Sequence, residues 1–164
     1  MKKIDLNRGY QALVDDEDYE LLSQWNWTAH IARQGRVVYA VRYLRKPHRH
    51  SIGMHRFIMN APKGMEVDHI NGNSLDNRRS NLRICSRIQN SWNMKLSKSN
   101  TSGFRGVYKY RNGKSWIANI GVKGRSIYLG IYKTPVEAAI AYNKKAKEVF
   151  GCYARLNSIE PCHE

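Results

Sequence analysis

An aspartate and a histidine stand side by side in the stretch Glu66-Val-Asp-His69, which ends a short run of strand-forming residues. The carboxylate of Asp68 is a hard oxygen ligand of the kind that holds Mg²⁺ or Mn²⁺. The imidazole of His69 can take a proton from water near neutral pH. A carboxylate ligand for a cation beside a general base suits hydrolysis of a phosphodiester bond, so this pair is the first candidate for chemistry.

Three further elements must position this pair. A polar loop rich in Asn, Gly, Asp and Arg follows His69, and residues 82–85 then predict a second short strand. Ser86 and Gln89 are spaced as a capping box, which predicts that a helix begins at Ser86. A strand, a loop, a strand and a helix in this order would bring Asp68, His69 and the first helical turn together.

The polar residues of this stretch keep the order and spacing of the HNH nuclease family, specifically of its phage and intron-encoded homing endonucleases: Asp68-His69, Asn77-Arg78, Asn81-Leu82 and Asn90. The resemblance implies a ββα-metal (His-Me finger) core over about residues 64–94. It implies that Asp68 and Asn90 bind one Mg²⁺ or Mn²⁺ ion. It also implies that His69 is the general base and that Asn81 orients the His69 region through hydrogen bonds.

The chain departs from the family at Asn90, where the family often has His. An amide oxygen is a weaker ligand than imidazole for zinc but suits Mg²⁺ or Mn²⁺. A structural interpretation is the alternative for the whole stretch, because Asp-His pairs are common and Asn- and Gly-rich loops are usually turns. The complete ordered set of residues favours the nuclease interpretation.

The composition favours a nucleic acid as partner. The 164 residues include 28 Lys and Arg against 13 Asp and Glu, a net charge of +15, and so strong a positive charge attracts polyanions. No segment approaches about 18 consecutive apolar residues, and the N-terminus lacks an apolar signal core. We therefore expect a cytoplasmic protein of a bacterial or phage-infected cell, with no membrane and no small-molecule partner.

The cysteines argue against a disulfide framework and against a structural zinc site, because there are only three of them, scattered along the chain and without a Cys-x-x-Cys pair.

Residues 1–60 predict an α+β lead-in with a helix after Asp15 and a hairpin whose turn lies at residues 34–35. His55 precedes Arg56 at a place where the HNH family commonly has a His-Arg pair, and we favour a structural role for it. Three basic residues of this half are expected to contact DNA, with a solvated surface as the alternative: Arg56, Arg78 and Arg83.

Residues 95–103 are rich in Ser, Asn, Lys and Gly and predict a flexible basic linker. After it, three runs with strand character joined by tight turns predict an antiparallel meander: residues 104–110, 115–122 and 126–132. Thr134, Pro135 and Glu137 then mark the start of a helix, and Gly151 marks its end. Residues 158–164 form a tail.

This second unit resembles an AP2 (ERF-type) DNA-binding domain over residues 104–157, in motifs such as Phe104-Arg-Gly-Val and Tyr128-Leu-Gly. The resemblance implies three strands packed on one helix, with the sheet entering the major groove of double-stranded DNA. Plant factors have Arg at Tyr108 and Glu at Asn119, which argues against their GC-rich target here. A solvated sheet face is the alternative to DNA binding. The residues expected to contact DNA are Arg105, Tyr108, Lys109, Arg111, Lys114, Trp116, Lys123, Arg125 and Tyr128.

The sequence therefore predicts an α+β protein in which an HNH nuclease domain (1–94) is joined by a linker (95–103) to an AP2-like domain (104–157). The predicted function is a metal-dependent homing endonuclease that cuts double-stranded DNA at a recognised site. As a monomer with one active site, it would nick one strand. The alternatives are an AP2-type regulator with an inactive HNH module, and an RNA-binding protein, which would leave the Asp-His pair unexplained.

Overall fold

The computed structural model describes residues 1–32, 37–44, 50–97, 99–111 and 113–159. The turn predicted at residues 34–35, Lys98 of the predicted linker and residues 160–164 of the predicted tail lie outside them. The chain divides into two compact units, residues 1–91 and 92–164. Its described part is α+β, with small antiparallel sheets and few helices, as the sequence predicts. No helix within the described ranges is long and apolar enough to cross a membrane.

The first unit begins with a two-stranded antiparallel sheet and a helix. Strand β1 (Lys2–Asp5) pairs with β2 (Gln11–Val14), and α1 (Asp16–Ser23) follows. Acidic residues fill the first turn of α1, where they complement the positive end of the helix dipole. The helix predicted after Asp15 is therefore confirmed.

A second, three-stranded antiparallel sheet follows in the order β3-β4-β5. The predicted hairpin is present as β3 (Thr28–Ala32) and β4 (Val37–Leu44), and β5 (His50–Gly53) adds an edge that the sequence analysis did not predict. Helix α2 (Met54–Met59) starts directly after β5 and ends at Asn60, which adopts a left-handed conformation with φ +43°.

The stretch that carries the Asp-His pair folds as strand, loop, strand and helix. Strand β6 (Glu66–His69) pairs antiparallel with β7 (Leu82–Cys85), and α3 (Arg87–Trp92) follows. The Ser86 amide donates to Gln89 Oε1 at 2.8 Å, and the Gln89 amide donates to Ser86 Oγ at 3.3 Å. These reciprocal bonds confirm the predicted capping box and fix the start of the helix.

One apolar core connects this stretch to the rest of the first unit. Val67 and Leu82 extend from β6 and β7 into the same cluster as Trp27 and Met54, so the motif is anchored on the lead-in rather than standing alone. Burying such side chains contributes about 1.5–3 kcal/mol each. The buried members are Ile4, Leu6, Ala12, Val14, Leu22, Trp27, Ala40, Met54, Ile58, Val67 and Leu82.

The second unit is a three-stranded antiparallel sheet in the order β10-β9-β8, followed by one long helix. Its strands are β8 (Val107–Lys109), β9 (Trp116–Val122) and β10 (Arg125–Tyr132), and α4 spans Pro135–Phe150. Thr134 Oγ1 accepts from the Glu137 amide at 3.2 Å, and Gly151 ends the helix with φ +55°. Both predicted helix signals are confirmed. Ala138, Ala139 and Ala146 of α4 are fully buried, because small side chains let the helix lie close to the sheet.

The first strand of this sheet begins at Val107, three residues later than the predicted strand of residues 104–110. Gly103 and Gly106 have φ values of +76° and +70°, which an extended strand does not use. Side chains also hold the preceding turn: Ser102 Oγ donates to the Val107 carbonyl at 2.8 Å, and the Gly103 amide donates to Asn100 Oδ1 at 2.7 Å. The predicted start at Phe104 is therefore wrong, because hydrogen bonds within the turn take the place of hydrogen bonds between strands there.

Gly106→Ala tests how closely the helix and sheet approach. An added Cβ would lie 2.3 Å from Tyr142 Cδ2 and 2.4 Å from the Asn119 carbonyl oxygen. We expect the free energy of unfolding to fall by about 3 kcal/mol or more, from backbone strain and overpacking together. Gly124→Ala is the control, because Gly124 has φ +78° but no neighbour within 4 Å. Denaturant titration should show a loss of only about 1 kcal/mol for the control. Equal losses would contradict the packing argument.

Candidate active site

Asp68 and His69 end strand β6, and both are buried, with 7% and 6% of their surface exposed. Successive side chains on a strand point to opposite faces of the sheet. Asp68 shares its face with Glu66 and with Arg83, which lies directly opposite it on β7, whereas His69 lies opposite Leu82. The pair therefore offers its two functional groups on the two sides of one short sheet.

Aromatic rings surround the His69 imidazole. The His55 ring on α2 lies edge-on to it with centroids 5.1 Å apart, and the Tyr39 ring on β4 lies 6.3 Å away. His55 and Tyr39 also contact each other at 5.6 Å. His69 is thus held by ring packing from two other elements of the first unit.

Burial lowers the pKa of the His69 imidazole, while the hydrogen bond that His69 donates to Asn77 and the nearby carboxylates act in the opposite direction. His69 is therefore neutral near pH 7, which is the form that can accept a proton. Its Nε2 lies 3.4 Å from Asn77 Oδ1. Donation from Nε2–H leaves the lone pair on Nδ1, so Nδ1 is the basic nitrogen in this tautomer.

His55 forms the wall behind His69. Burial, followed by electrostatic interaction with His69 and Arg56, lowers the pKa of His55 to about 3. Its Nδ1 is buried and has no hydrogen-bond partner in the described structure. A histidine that stays neutral at all physiological pH values packs as an aromatic ring, in line with the structural role that the sequence analysis favours.

Asp68 is paired with Arg83 across the two strands. Arg83 donates to Asp68 Oδ2 from Nε at 2.9 Å and from Nη2 at 2.5 Å. The structure thus places Arg83, which the sequence analysis assigns to DNA contact, against the predicted metal ligand. Both charges are largely buried, so each depends on the other for compensation.

Asn90 comes to the same face from the second turn of α3. Its Nδ2 donates to Glu66 Oε2 at 2.6 Å. Glu66 is one strand repeat before Asp68, so Asn90 and Asp68 share the face on which Glu66 lies. Sequence reasoning missed Glu66, although the Glu-x-Asp spacing on a predicted strand is the signal that places both carboxylates on one side.

Asn81 binds the loop that follows His69. Its Oδ1 accepts from the Asn71 amide at 2.9 Å, and its Nδ2 donates to the Asp76 carbonyl at 2.8 Å. Its own carbonyl accepts from the Ile70 amide at 2.9 Å. These bonds join the beginning and the end of the loop, which fixes the backbone just beyond His69.

Asp76 lies inside this loop and is 2% exposed. It accepts from Arg78 Nε and Nη2, both at 2.7 Å, and from Asn71 Nδ2 at 2.9 Å. The Arg78 guanidinium, with further help from Asn71, holds the pKa of Asp76 below its usual range. Arg78 is therefore engaged within the protein, as is Arg56, which donates to the Met65 carbonyl at 2.6 Å.

In the second unit, most residues that the sequence analysis assigns to DNA contact are exposed. Arg105 and Trp116 are half-buried instead: Arg105 donates to the Met94 carbonyl from its side chain and to Asn157 Oδ1 from its amide, and Trp116 packs on the core. The exposed ones are Tyr108, Lys109, Arg111, Lys114, Lys123, Arg125 and Tyr128.

Comparison with known proteins supports both halves of this description. A family model described as HNH endonuclease matches residues 60–92. An uncharacterized HNH endonuclease of Acanthamoeba polyphaga mimivirus is 32% identical over 160 residues, which cover 93% of this chain and 78% of that protein. Protein 3.8 of Escherichia phage T7 is 42% identical over 64 residues, or 39% of this chain and 53% of the phage protein.

A third similarity concerns a plant protein. Dehydration-responsive element-binding protein 2C of Arabidopsis thaliana is 43% identical over 59 residues, which cover 35% of this chain and 17% of the plant protein. The predicted resemblance to an HNH endonuclease combined with a part similar to plant AP2-type factors is therefore confirmed.

Asn81→Ala tests the loop bonds next to His69. The change removes two side-chain hydrogen bonds, of which the one to Asp76 is buried. We expect the free energy of unfolding to fall by about 2 kcal/mol, and the Asn71 amide to exchange its hydrogen at least tenfold faster. Hydrogen exchange followed by NMR measures both. Asn73→Ala is the control, because it also removes a side-chain hydrogen bond of this loop, the one accepted from the Leu75 amide, but an exposed one. Unchanged protection of Asn71 in Asn81→Ala would argue against the assigned role.

Proposed function

The chain belongs to the HNH endonuclease family, and from this premise we propose that it is a metal-dependent endonuclease that hydrolyses phosphodiester bonds of double-stranded DNA. The observation that supports this most is that Asp68 and His69 lie buried side by side at the end of β6. A base and a carboxylate ligand on two sides of one strand end can both approach a single phosphate. The net charge of +15 suits such a polyanionic substrate.

His69 is the general base in this proposal. Nδ1 of the neutral imidazole takes a proton from a water molecule, while Nε2–H remains with Asn77. The water oxygen attacks phosphorus in line, and the bond from phosphorus to the leaving 3′ oxygen breaks. Asn81 contributes by fixing the loop backbone, and the rings of Tyr39 and His55 keep the imidazole in place.

Asp68 and Asn90 are the proposed ligands of one Mg²⁺ or Mn²⁺ ion. The donor chemistry fits, because carboxylate and amide oxygens are the ligands that hard divalent cations prefer. When bound, the cation supplies Lewis-acid stabilisation of the charge on the phosphate and on the leaving oxygen. Arg83 donates to Asp68 Oδ2 from two nitrogens, so an ion that takes this oxygen would have to compete with the guanidinium.

Glu66 is the proposed positioning residue of this ligand set. It accepts from Asn90 Nδ2, and an amide whose nitrogen is held in this way presents its oxygen elsewhere. Removing a residue that is hydrogen-bonded to a metal ligand commonly lowers metal affinity about 10–100-fold. Glu66 also adds a second negative charge to the face that carries Asp68.

Residues 104–157 are the proposed targeting domain, which binds double-stranded DNA through its sheet, with residues 95–103 as the link between domains and 158–164 as a tail. With one active site in a monomer, each cleavage event nicks one strand. The similarity of part of the chain to a plant protein named for element binding supports this assignment. The exposed lysines and arginines of this unit suit phosphate contacts.

His69→Ala tests the base. General-base catalysis contributes about 10²–10⁴-fold, so conversion of supercoiled plasmid to nicked circles in Mg²⁺ or Mn²⁺ should slow by that factor. DNA affinity measured in EDTA should change little. His30→Ala is the control, because His30 is an exposed histidine on β3 that contacts Tyr43. Nicking at the wild-type rate by folded His69→Ala would end the assignment.

The ligand set is tested by Mn²⁺ binding without DNA, followed by electron paramagnetic resonance. Asp68→Ala and Asn90→Ala should lose most binding, and Glu66→Leu should weaken it about 10–100-fold. Glu66→Gln should retain more affinity than Glu66→Leu, because its amide oxygen can still accept from Asn90. Glu148→Gln is the control, since Glu148 pairs with Lys145 on α4. Wild-type Mn²⁺ affinity in Asp68→Ala or in Glu66→Leu would contradict the respective role.

A further inference from the structure

The sheet of the second unit has one face on α4 and one outer face. Residues directly opposite each other on paired strands share a face. The register places Tyr108, Ile117 and Ile131 in one row across all three strands, and Asn119 beside Tyr128 in the next. Ala118 and Ile120, which alternate with Ile117 and Asn119 on β9, are the residues that pack in the core. The outer face comprises Tyr108, Ile117, Asn119, Gly121, Ser126, Tyr128 and Ile131.

This outer face is uncharged and largely apolar although the chain is strongly basic. Tyr108, Tyr128 and Ile131 are 57%, 60% and 47% exposed. Apolar groups that stay together on a surface, rimmed by polar residues, mark an interaction site. None of the strand residues of the outer face is a lysine or an arginine, and this restricts the kind of partner that the outer face can bind.

Cations surround the outer face rather than occupy it. They lie at the two hairpin ends of the sheet and along its edge strand, and all of them are exposed: Lys109, Arg111, Lys114, Lys123 and Arg125. A partner that fits carries negative charge at its edges and apolar groups at its centre. The major groove of DNA has this arrangement, because phosphates line both sides and the thymine C5-methyl group lies on its floor.

We infer that the outer face reads A·T base pairs in the major groove, with Tyr108, Tyr128 and Ile131 against thymine methyl groups. The inference rests on the proposed DNA-binding role of the second unit and specifies what that unit recognises. Guanine is read mainly by Arg or Lys at its O6 and N7 atoms, whereas thymine is read by apolar contact with its methyl group. The outer face supplies the second chemistry and lacks the first.

Asn119 supports the same choice of base pair. It is the amide in the outer-face rows, and its Oδ1 is buried without a hydrogen-bond partner in the described structure, so the side chain must rotate outward to meet a base. An unsatisfied acceptor costs free energy, and an Asn amide that turns toward DNA pairs with N6 and N7 of adenine. An adenine on one strand and a thymine methyl on the other belong to one base pair.

The experiment compares duplexes that differ only in methyl groups. Fluorescence anisotropy measures the binding of the full chain in EDTA, at one fixed salt concentration because phosphate contacts are salt-dependent. The duplexes are an A·T-rich one, the same with dU for every dT, a G·C-rich one, and the same with 5-methyl-dC for every dC. We expect about a fourfold loss of affinity for each contacted methyl removed by dU. The 5-methyl-dC duplex should bind more tightly than its dC counterpart.

Two isoleucines provide a matched pair of variants. Ile131 on the outer face and Ile140 on α4 are similarly exposed, 47% and 52%. Ile131→Ser should shrink the difference between the dT and dU duplexes, whereas Ile140→Ser should leave it unchanged. Tyr128→Phe, which keeps the ring, should also retain the difference, and circular dichroism checks that each variant is folded.

The outcomes separate this inference from the function on which it rests. Equal affinity for the dT and dU duplexes, with DNA still bound, would overturn the inference and leave the proposed function standing. Preference for vesicles of anionic lipid over every duplex would overturn it too, because the outer face would then fit a membrane surface. No affinity for any duplex would overturn the DNA-binding role of the second unit together with the inference.

Discussion

A buried carboxylate holds together the loop on which the proposed active site depends. Asp76 is 2% exposed, and a charge in such a place is stable only when it is paired and hydrogen-bonded. Arg78 and Asn71 bind its oxygens, Asn81 binds its carbonyl, and the backbone beside it pairs with Leu13 of β2. Removing one partner would leave an uncompensated buried charge, so the loop has one stable arrangement, and that arrangement ends β6 at His69.

In the proposed mechanism, the end of β6 places the general base and the metal ligand in two different environments. A general base near neutral pH must be unprotonated, and the ring packing around His69 on one side of β6 disfavours its charged form. A hard cation needs oxygen ligands and negative charge, and the other side carries Asp68 and Glu66. Two adjacent residues can meet both requirements because a strand turns successive side chains to opposite faces.

Local signals were predictable from sequence, and long-range ones were not. The capping box at Ser86 and the helix cap at Thr134 depend on residues three positions apart, so spacing alone reveals them. The start of β8 depends on the sign of φ at Gly103 and Gly106 and on bonds from Ser102, which no periodicity encodes. The Asp68–Arg83 pair follows from the register of β6 and β7, and register is decided by the loop between them.

The proposed active-site residues could be selected from sequence because they occupy one continuous stretch that keeps the residue order of the HNH family. Their neighbours could not, since they come from elsewhere: Tyr39 is supplied by β4 and His55 by α2. Glu66 lies within the stretch, yet its role depends on the direction in which the Asn90 amide turns. Sequence spacing therefore identifies which residues are candidates, and tertiary contacts decide what each of them does.

The number of basic residues in the sequence overstates how many of them are available to contact DNA. Arg56, Arg78 and Arg83 all belong to the basic surplus, but each is bound to a carbonyl or carboxylate of the first unit. They stabilise the nuclease fold, and a phosphate would have to compete with those partners. Lys109, Arg111, Lys123 and Arg125 of the second unit are exposed instead. In the proposed function, DNA affinity therefore depends mainly on the exposed basic residues of the second unit, whereas the buried arginines of the first unit maintain its fold.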